Sequence, residues 1–320
     1  MIRVSVFGEP LLELSTAQGG CFGPARLSFA GDTLNTAVYL ARLGIQVEYI
    51  TALGTDPWSD ALVEAIKDEG IGTRNILRHP SRMPGLYAIQ TDEVGERSFT
   101  YWRDQSAARA FFDLPGAHDC LQTVMDTQLF YFSGISLSIL DVHGRTGLTN
   151  LAKGAQAKGV PVAFDGNYRP RGWSSLQQAR AAMRDIAPAV AIVLPTHEDD
   201  DALFGPNTPA AHALRWRAAG ADLVVVKRGP NGAVIFDGTG PGRCVPVLEP
   251  VQPRDTTGAG DSFNAGFLAA YLKGCPPADA AVQGHKLAGT VIQYPGAIIP
   301  ASAMPTIVGG PMNVDRDSFT

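Results

Sequence analysis

Short apolar runs alternate with longer stretches of helical spacing along most of the chain. Residues 2–8 predict a strand, and residues 33–43 a helix with Leu34, Val38 and Leu43 on one side and Gly44 at its end. A strand over 47–54 and a helix over 59–69, closed by Gly70, continue the rhythm. A strand over 129–135, a helix over 142–158 and strands over 160–165, 191–195 and 222–229 extend it. Such β-α alternation predicts an α/β fold: a mostly parallel sheet with helices on both faces. Residues 11–29 and 86–102 break the pattern, because they alternate like strands with no helix between them. In the second, a polar stretch over 91–98 separates two apolar and aromatic runs and predicts a hairpin. Strands of this kind either form a lid over a site or pair with the main sheet as an edge. The expectation is one domain over 1–308, with lid strands around 11–30 and 86–103, and a loose polar tail over 309–320.

Composition narrows the classes of ligand. Of 320 residues, 45% are hydrophobic and 18% charged, and the net charge is -5 with no Lys/Arg block. This balance gives no electrostatic footprint for nucleic acid or an anionic membrane, so an anionic ligand must be caught locally. No apolar run reaches the roughly 18 residues of a membrane span. The first residues read as a strand rather than a leader, so the expected location is the cytoplasm. Cys21, Cys120, Cys244 and Cys275 are far apart and form no CxxC pair, which points to reduced thiols.

The chemistry concentrates in Asp255-Thr256-Thr257-Gly258-Ala259-Gly260-Asp261-Ser262-Phe263-Asn264. Small residues at 258–260 let a backbone approach a ligand closely, and helical spacing follows at once. A turn that opens a helix aims several N–H groups at one spot, where the helix dipole adds positive charge. This makes an anion hole. Asp261 beside it is either the cap of that helix or a base that takes a hydroxyl proton while the amides hold a phosphoryl group.

The string resembles the C-terminal signature of the ribokinase-like (PfkB) carbohydrate kinases, D-T-x-G-A-G-D. Residues 29–37 are similar to the family's N-terminal Gly-rich signature, and 224–236 to its nucleotide-side strand and turn. The resemblance runs in order from about residue 2 to residue 305, and no GxxxxGK[ST] P-loop is present. It implies a ribokinase-like three-layer sandwich with a small β lid. It also implies ATP and Mg2+ as cofactors, leaves a monovalent cation open, and implies a homo-oligomer paired through lid strands. By the same resemblance Asp261 is the catalytic base, and Gly258, Ala259 and Gly260 stabilise the phosphoryl group. Lys227, Arg228, Gly229 and Gly232 would form the ATP wall with Asn264 beside the nucleotide, and Asp32 and Asn35 would bind sugar hydroxyls, Gly31 permitting close approach. One departure stands out. Where the family has Asn-x-x-Glu for magnesium, this chain has Thr196-His197-Glu198-Asp199-Asp200-Asp201, so Asp199, or a neighbour by a one-residue slip, takes the metal role.

The sugar is indicated by arginines next to aromatic residues: Tyr101-Trp102-Arg103, and Tyr168-Arg169 after a core strand. A neutral hexose needs no cation, whereas a sugar acid needs donors for its carboxylate, and a guanidinium supplies them as a planar fork. Segments such as PGLY, GERSFTYWR and FDGNYRPRGW are similar to those family members that phosphorylate 2-keto-3-deoxygluconate. That likeness implies a sugar-acid site lined by Gly31, Tyr87, Tyr101, Arg103 and Arg169, with phosphorylation at the 6-hydroxyl. Fructokinase- or ribokinase-like specificity and a non-catalytic sugar-binding protein are the alternatives.

Overall fold

A computed structural model describes residues 1–16, 24–91, 97–238 and 240–307. The tail expected over 309–320, the tip of the expected hairpin turn and Cys21 lie outside them. The strands among the described residues are β1 (Arg3–Phe7), β2 (Leu11–Thr16), β3 (Ala25–Ala30), β4 (Gln46–Leu53), β5 (Ile76–Arg78), β6 (Gly85–Thr91), β7 (Arg97–Trp102), β8 (Leu129–Ser133), β9 (Val162–Asp165), β10 (Ile192–Val193), β11 (Leu223–Lys227), β12 (Ala233–Phe236) and β13 (Arg243–Val245). Nine of them form one sheet in the order β13-β12-β11-β10-β9-β8-β1-β4-β5. Pairing is parallel from β11 to β5 and antiparallel across β11, β12 and β13.

Both faces of this sheet are covered, which is why its strands read as nearly continuous apolar runs. Phe130 and Phe132 of β8 pack into one core with helices Val142–Ala157, Leu176–Ile186 and Pro209–Ala218. Leu129 and Tyr131 point the other way, into a core with helices Asp32–Arg42, Pro57–Asp68, Ala259–Leu272 and Pro277–Val291. Each large side chain buried in this way contributes roughly 1.5–3 kcal/mol. The expected strand over 129–135 stops at Ser133, because its hydroxyl accepts from Ser136 N at 3.3 Å and caps helix Gly134–Ile139. No helix among the described residues is long and apolar enough to cross a membrane.

The remaining strands form a separate four-stranded sheet, β3-β2-β6-β7, so they are a lid rather than an edge of the main sheet. β2 pairs antiparallel with β3 and parallel with β6, and β6 pairs antiparallel with β7 as the hairpin pattern predicts. Alternation gives the lid two unlike faces. Glu13, Tyr87 and Tyr101 lie in one cross-strand row, of which Tyr87 and Tyr101 line the site. Leu12, Phe29, Leu86 and Trp102 form the next row on the opposite face, where Trp102 is 59% exposed.

Candidate active site

Helix Ala259–Leu272 opens at the motif turn. Gly258 is its N-cap at φ 74°, where an added Cβ would come within 2.9 Å of Ala297 O, so this position requires glycine. Ala259 N–H closes the turn on Thr256 O at 3.2 Å. Asp255 ties the turn down: it accepts from Thr257 N at 2.9 Å and from Gly296 N at 2.5 Å. The helix is held close to its neighbour Pro277–Val291 by paired glycines. A Cβ on Gly266 would meet Gln283 O at 2.9 Å, and one on Gly284 would meet Phe263.

Asp261 does not cap the helix. Its Oδ2 accepts a hydrogen bond from Asn35 Nδ2 at 2.7 Å, across from the helix Asp32–Arg42. Burial, and then the negative charge of Asp32, raise its carboxyl well above the ordinary carboxylate range; Asn35 and Lys227 pull the other way. Asp32 is raised too, chiefly by burial, although Ser133 Oγ and Asn167 Nδ2 both donate to its Oδ2.

A cavity of about 730 Å³ lies between the lid and the sheet's carboxyl ends, and Asp261 lines it. It brings together Gly31, Asp32, Asn35, Tyr87, Tyr101, Arg103 and Arg169 with Gly258, Ala259 and Gly260. The two arginines do converge on one space, but each arrives with a carboxylate. Arg103 donates through Nε to Glu9 Oε2 at 2.8 Å and also through Nη2 to the same oxygen. Arg169 donates through Nη1 to both oxygens of Asp199, at 2.9 and 3.0 Å. Tyr87 OH donates to Glu13 Oε2, and burial with that neighbouring charge keeps the phenol far from ionising. Gly31 lacks a side chain for a reason other than the ligand: a Cβ there would stand 2.4 Å from Glu9 O.

A second cavity of about 550 Å³ runs along β11 and its turn. Its walls are mostly backbone and apolar side chains, among them Gly229, Pro230, Gly232, Val251, Ala288 and Ile292, with Glu249 and Gln252 also on the lining. His285 also lines it; burial lowers its imidazole to about 4, so it is neutral and packs on Phe263. The two cavities share Thr196, Lys227, Pro253, Thr256, Ala259 and Gly260, so they meet at the motif turn.

Three expected contacts are not brought to either cavity. Arg228 uses its backbone N–H to close the turn on Gly232 O at 2.8 Å. Asn264 is fully buried beneath the turn, between Lys227, Asp165 and Tyr131. Asp199 is held by Arg169, while Asp200 accepts from Trp216 Nε1 at 2.9 Å and Asp201 from His212 Nε2 at 2.6 Å. Asp199, Asp200 and Asp201 thus face protein partners rather than either cavity, and Asp201 lies with His197 and His212 in a group whose ligand atoms are all within 4.8 Å of one another. Among the described residues the carboxylates on the first cavity are Asp32, Asp165, Asp255 and Asp261, all engaged with protein donors. This set fits an ion that keeps its waters and arrives on substrate phosphates, as Mg2+ does.

Sequence reasoning missed Glu9, Glu13, Asp165 and Asn167. Asp165 ends β9, and Asn167, two residues on, has φ 31°, the one non-glycine residue with positive φ among those described. Strained backbone of this kind gathers at functional sites.

Comparison with known proteins agrees with this geometry. A family model described as pfkB family carbohydrate kinase matches residues 16–304. A 2-dehydro-3-deoxygluconokinase of Dickeya dadantii is 41% identical over 310 residues, covering 95% of this chain and 98% of that protein. A solved 2-dehydro-3-deoxygluconokinase of Thermotoga maritima superposes with a TM-score of 0.82 at 22% identity, covering 93% of this chain and 94% of that one. A solved structure of a putative ribokinase II of Escherichia coli, in complex with ATP and Mg2+, superposes at 0.80 with 22% identity and the same coverage. At that identity the two structural likenesses show the fold.

Proposed function

The chain belongs to the pfkB family of carbohydrate kinases, and from that premise we propose that it transfers phosphate from ATP to the 6-hydroxyl of 2-keto-3-deoxygluconate, giving 2-keto-3-deoxy-6-phosphogluconate. It is a sugar kinase that uses ATP with Mg2+. The observation that carries the sugar-acid reading is the convergence of Arg103 and Arg169 on the cavity that holds Asp261.

The acceptor hydroxyl lies against Asp261, which takes its proton as the oxygen attacks the γ-phosphorus. The new O–P bond forms as the bond to the bridging oxygen of ADP breaks. Burial and the charge of Asp32 give Asp261 a raised proton affinity, which suits it to this transfer. The helix N-terminus at 258–260 faces the developing negative charge. Mg2+, when bound, would neutralise phosphate charge; no step of the protein's own groups depends on its placement. The nucleotide base would occupy the second cavity, along Gly229, Gly232 and Ile292. The lid excludes water from the transfer.

The test is ADP release with ATP, Mg2+ and each of 2-keto-3-deoxygluconate, its galactonate-derived epimer, fructose and ribose. Turnover confined to the keto-deoxy acids is the expected result. Turnover confined to a neutral sugar would overturn the substrate while leaving the kinase. Running the assay in K+ and in choline reads any monovalent-cation requirement. The apolar outer face of the lid, with Leu27 40% and Trp102 59% exposed, supports a homodimer closed through that face, which light scattering of wild type against Trp102→Lys checks. Dependence on ATP supports a cytoplasmic location.

A further inference from the structure

Lys227 ends β11, and its side chain is buried where the two cavities meet. An ammonium has three donors. Two are accounted for: Nζ donates to Asp165 Oδ2 at 3.0 Å and to Asn264 Oδ1 at 3.0 Å. Asp165 and Asn264 are themselves joined, with Asn264 Nδ2 donating to Asp165 Oδ2 at 2.6 Å and to Tyr131 OH at 3.2 Å. The ammonium thus rests in a rigid cradle built from a strand end and a buried helix face. On its other side lies the motif turn. A Cβ placed on Gly260 would be 3.6 Å from Nζ, so no side chain stands between the ammonium and the turn.

We propose that Lys227 is a catalytic residue, whose remaining N–H binds the phosphoryl group in transit, and that Asp165 is the positioning residue that holds it at the crossing. The proposal rests on the kinase reading above. The acceptor oxygen bonds to phosphorus, the bridging oxygen leaves with ADP, and the hydroxyl proton passes to Asp261; Lys227 keeps its protons throughout and supplies fixed positive charge. A fixed charge acts most strongly in a site closed to water, and the equatorial oxygens of the group in flight are where negative charge gathers. Asp165 holds the ammonium in place, and two further donors, Asn264 Nδ2 and the Asn167 backbone N–H at 3.2 Å, spread the carboxylate's charge.

The competing account is that Lys227 only neutralises Asp165. Steady-state kinetics and melting temperature of Lys227→Met, Asp165→Asn and the double variant separate the two. Lys227→Met leaves a buried carboxylate unpaired and should lower both stability and kcat, the latter by roughly 100-fold, with the KM for ATP changed much less. In the double variant the stability should return while kcat stays about tenfold or more below that of Asp165→Asn. A double variant that turns over as fast as Asp165→Asn would overturn the proposal. A second measurement avoids turnover. Binding of ADP with fluoroaluminate, a mimic of the transferring group, should weaken in the double variant relative to Asp165→Asn, while binding of ADP alone should not. Equal weakening of both ligands, or of neither, would also overturn it. Failure of the function reading looks different, since wild type would then release no ADP with any of the sugars.

Discussion

Away from the turn where they meet, the two cavities differ in the balance of charged and apolar lining. The first is walled by charge, and nearly every charge on it is already paired: Arg103 with Glu9, Arg169 with Asp199, Lys227 with Asp165, Asp261 with Asn35. The second is walled mostly by glycine, proline and aliphatic side chains with a neutral His285, and its charged groups are Lys227, at the junction with the first, and Glu249. The difference separates selection from placement. A sugar acid entering the first cavity must share arginines with resident carboxylates, so recognition depends on a balance of charges. A nucleotide base entering the second meets shape and backbone, so binding there depends on volume.

The comparison predicts where substitutions act. The largest effect belongs to Asp261→Asn, which should cut kcat by about 10³-fold while ATP binding, measured by calorimetry, persists. Arg169→Ala should raise the KM for the sugar acid by roughly 10- to 100-fold, a charge-assisted hydrogen bond being worth about 1.5–3 kcal/mol, and should leave the KM for ATP unchanged. Ala288→Trp should do the reverse, raising the KM for ATP about tenfold or more by filling the second cavity, with the sugar KM intact. If either substitution moved both constants together, the division would fail. Asp32→Asn is subtler. Asp261 must be ionised to accept a proton, and Asp32 is among the charges that raise its proton affinity. The variant should therefore keep more of its maximal kcat at acid pH than wild type does, read from the acid limb of the pH profile.

The smallest effect lies outside both cavities. Burial pushes Asp200 up to about 7, against the ordinary 3.8. A carboxyl raised on folding costs stability as pH rises from the unfolded value through the folded one. Asp200→Asn should raise the melting temperature by a few degrees at pH 8 and leave it little changed near pH 4, since amide and protonated acid both suit the Trp216 donor.

The alternation of apolar runs and helical spacing made the main sheet and its two helical layers legible, because period and length are local properties. The motif turn was legible for the same reason: Gly258, Ala259, Gly260 and Asp261 are consecutive. The lid was visible as a break in rhythm, but whether it joined the main sheet was not, since that depends on β2 pairing with β6 across about seventy residues of chain. The acids were the least legible. Nothing in spacing distinguishes Glu9 or Asp165 from any carboxylate after a strand, and only the fold brings them to Arg103 and Lys227. The family resemblance implies a place for Asn264 and Arg228 at the nucleotide. Helix geometry turns the first inward beneath the turn, and the second lines neither of the two cavities.

The segment around Gly296 links parts that would otherwise be separate. Tyr39, from the sugar-side helix, donates to Ala297 O at 2.6 Å and accepts from Ile299 N at 3.1 Å, while Gly296 N holds Asp255 of the motif. The two ends of the reaction are thereby fastened to one strap. Amide protons of Gly296 and Ile299 should exchange with solvent only when the whole core opens, whatever the lid is doing. The lid can then breathe on the timescale of turnover while the distance between hydroxyl and phosphorus is set by a part of the molecule that does not.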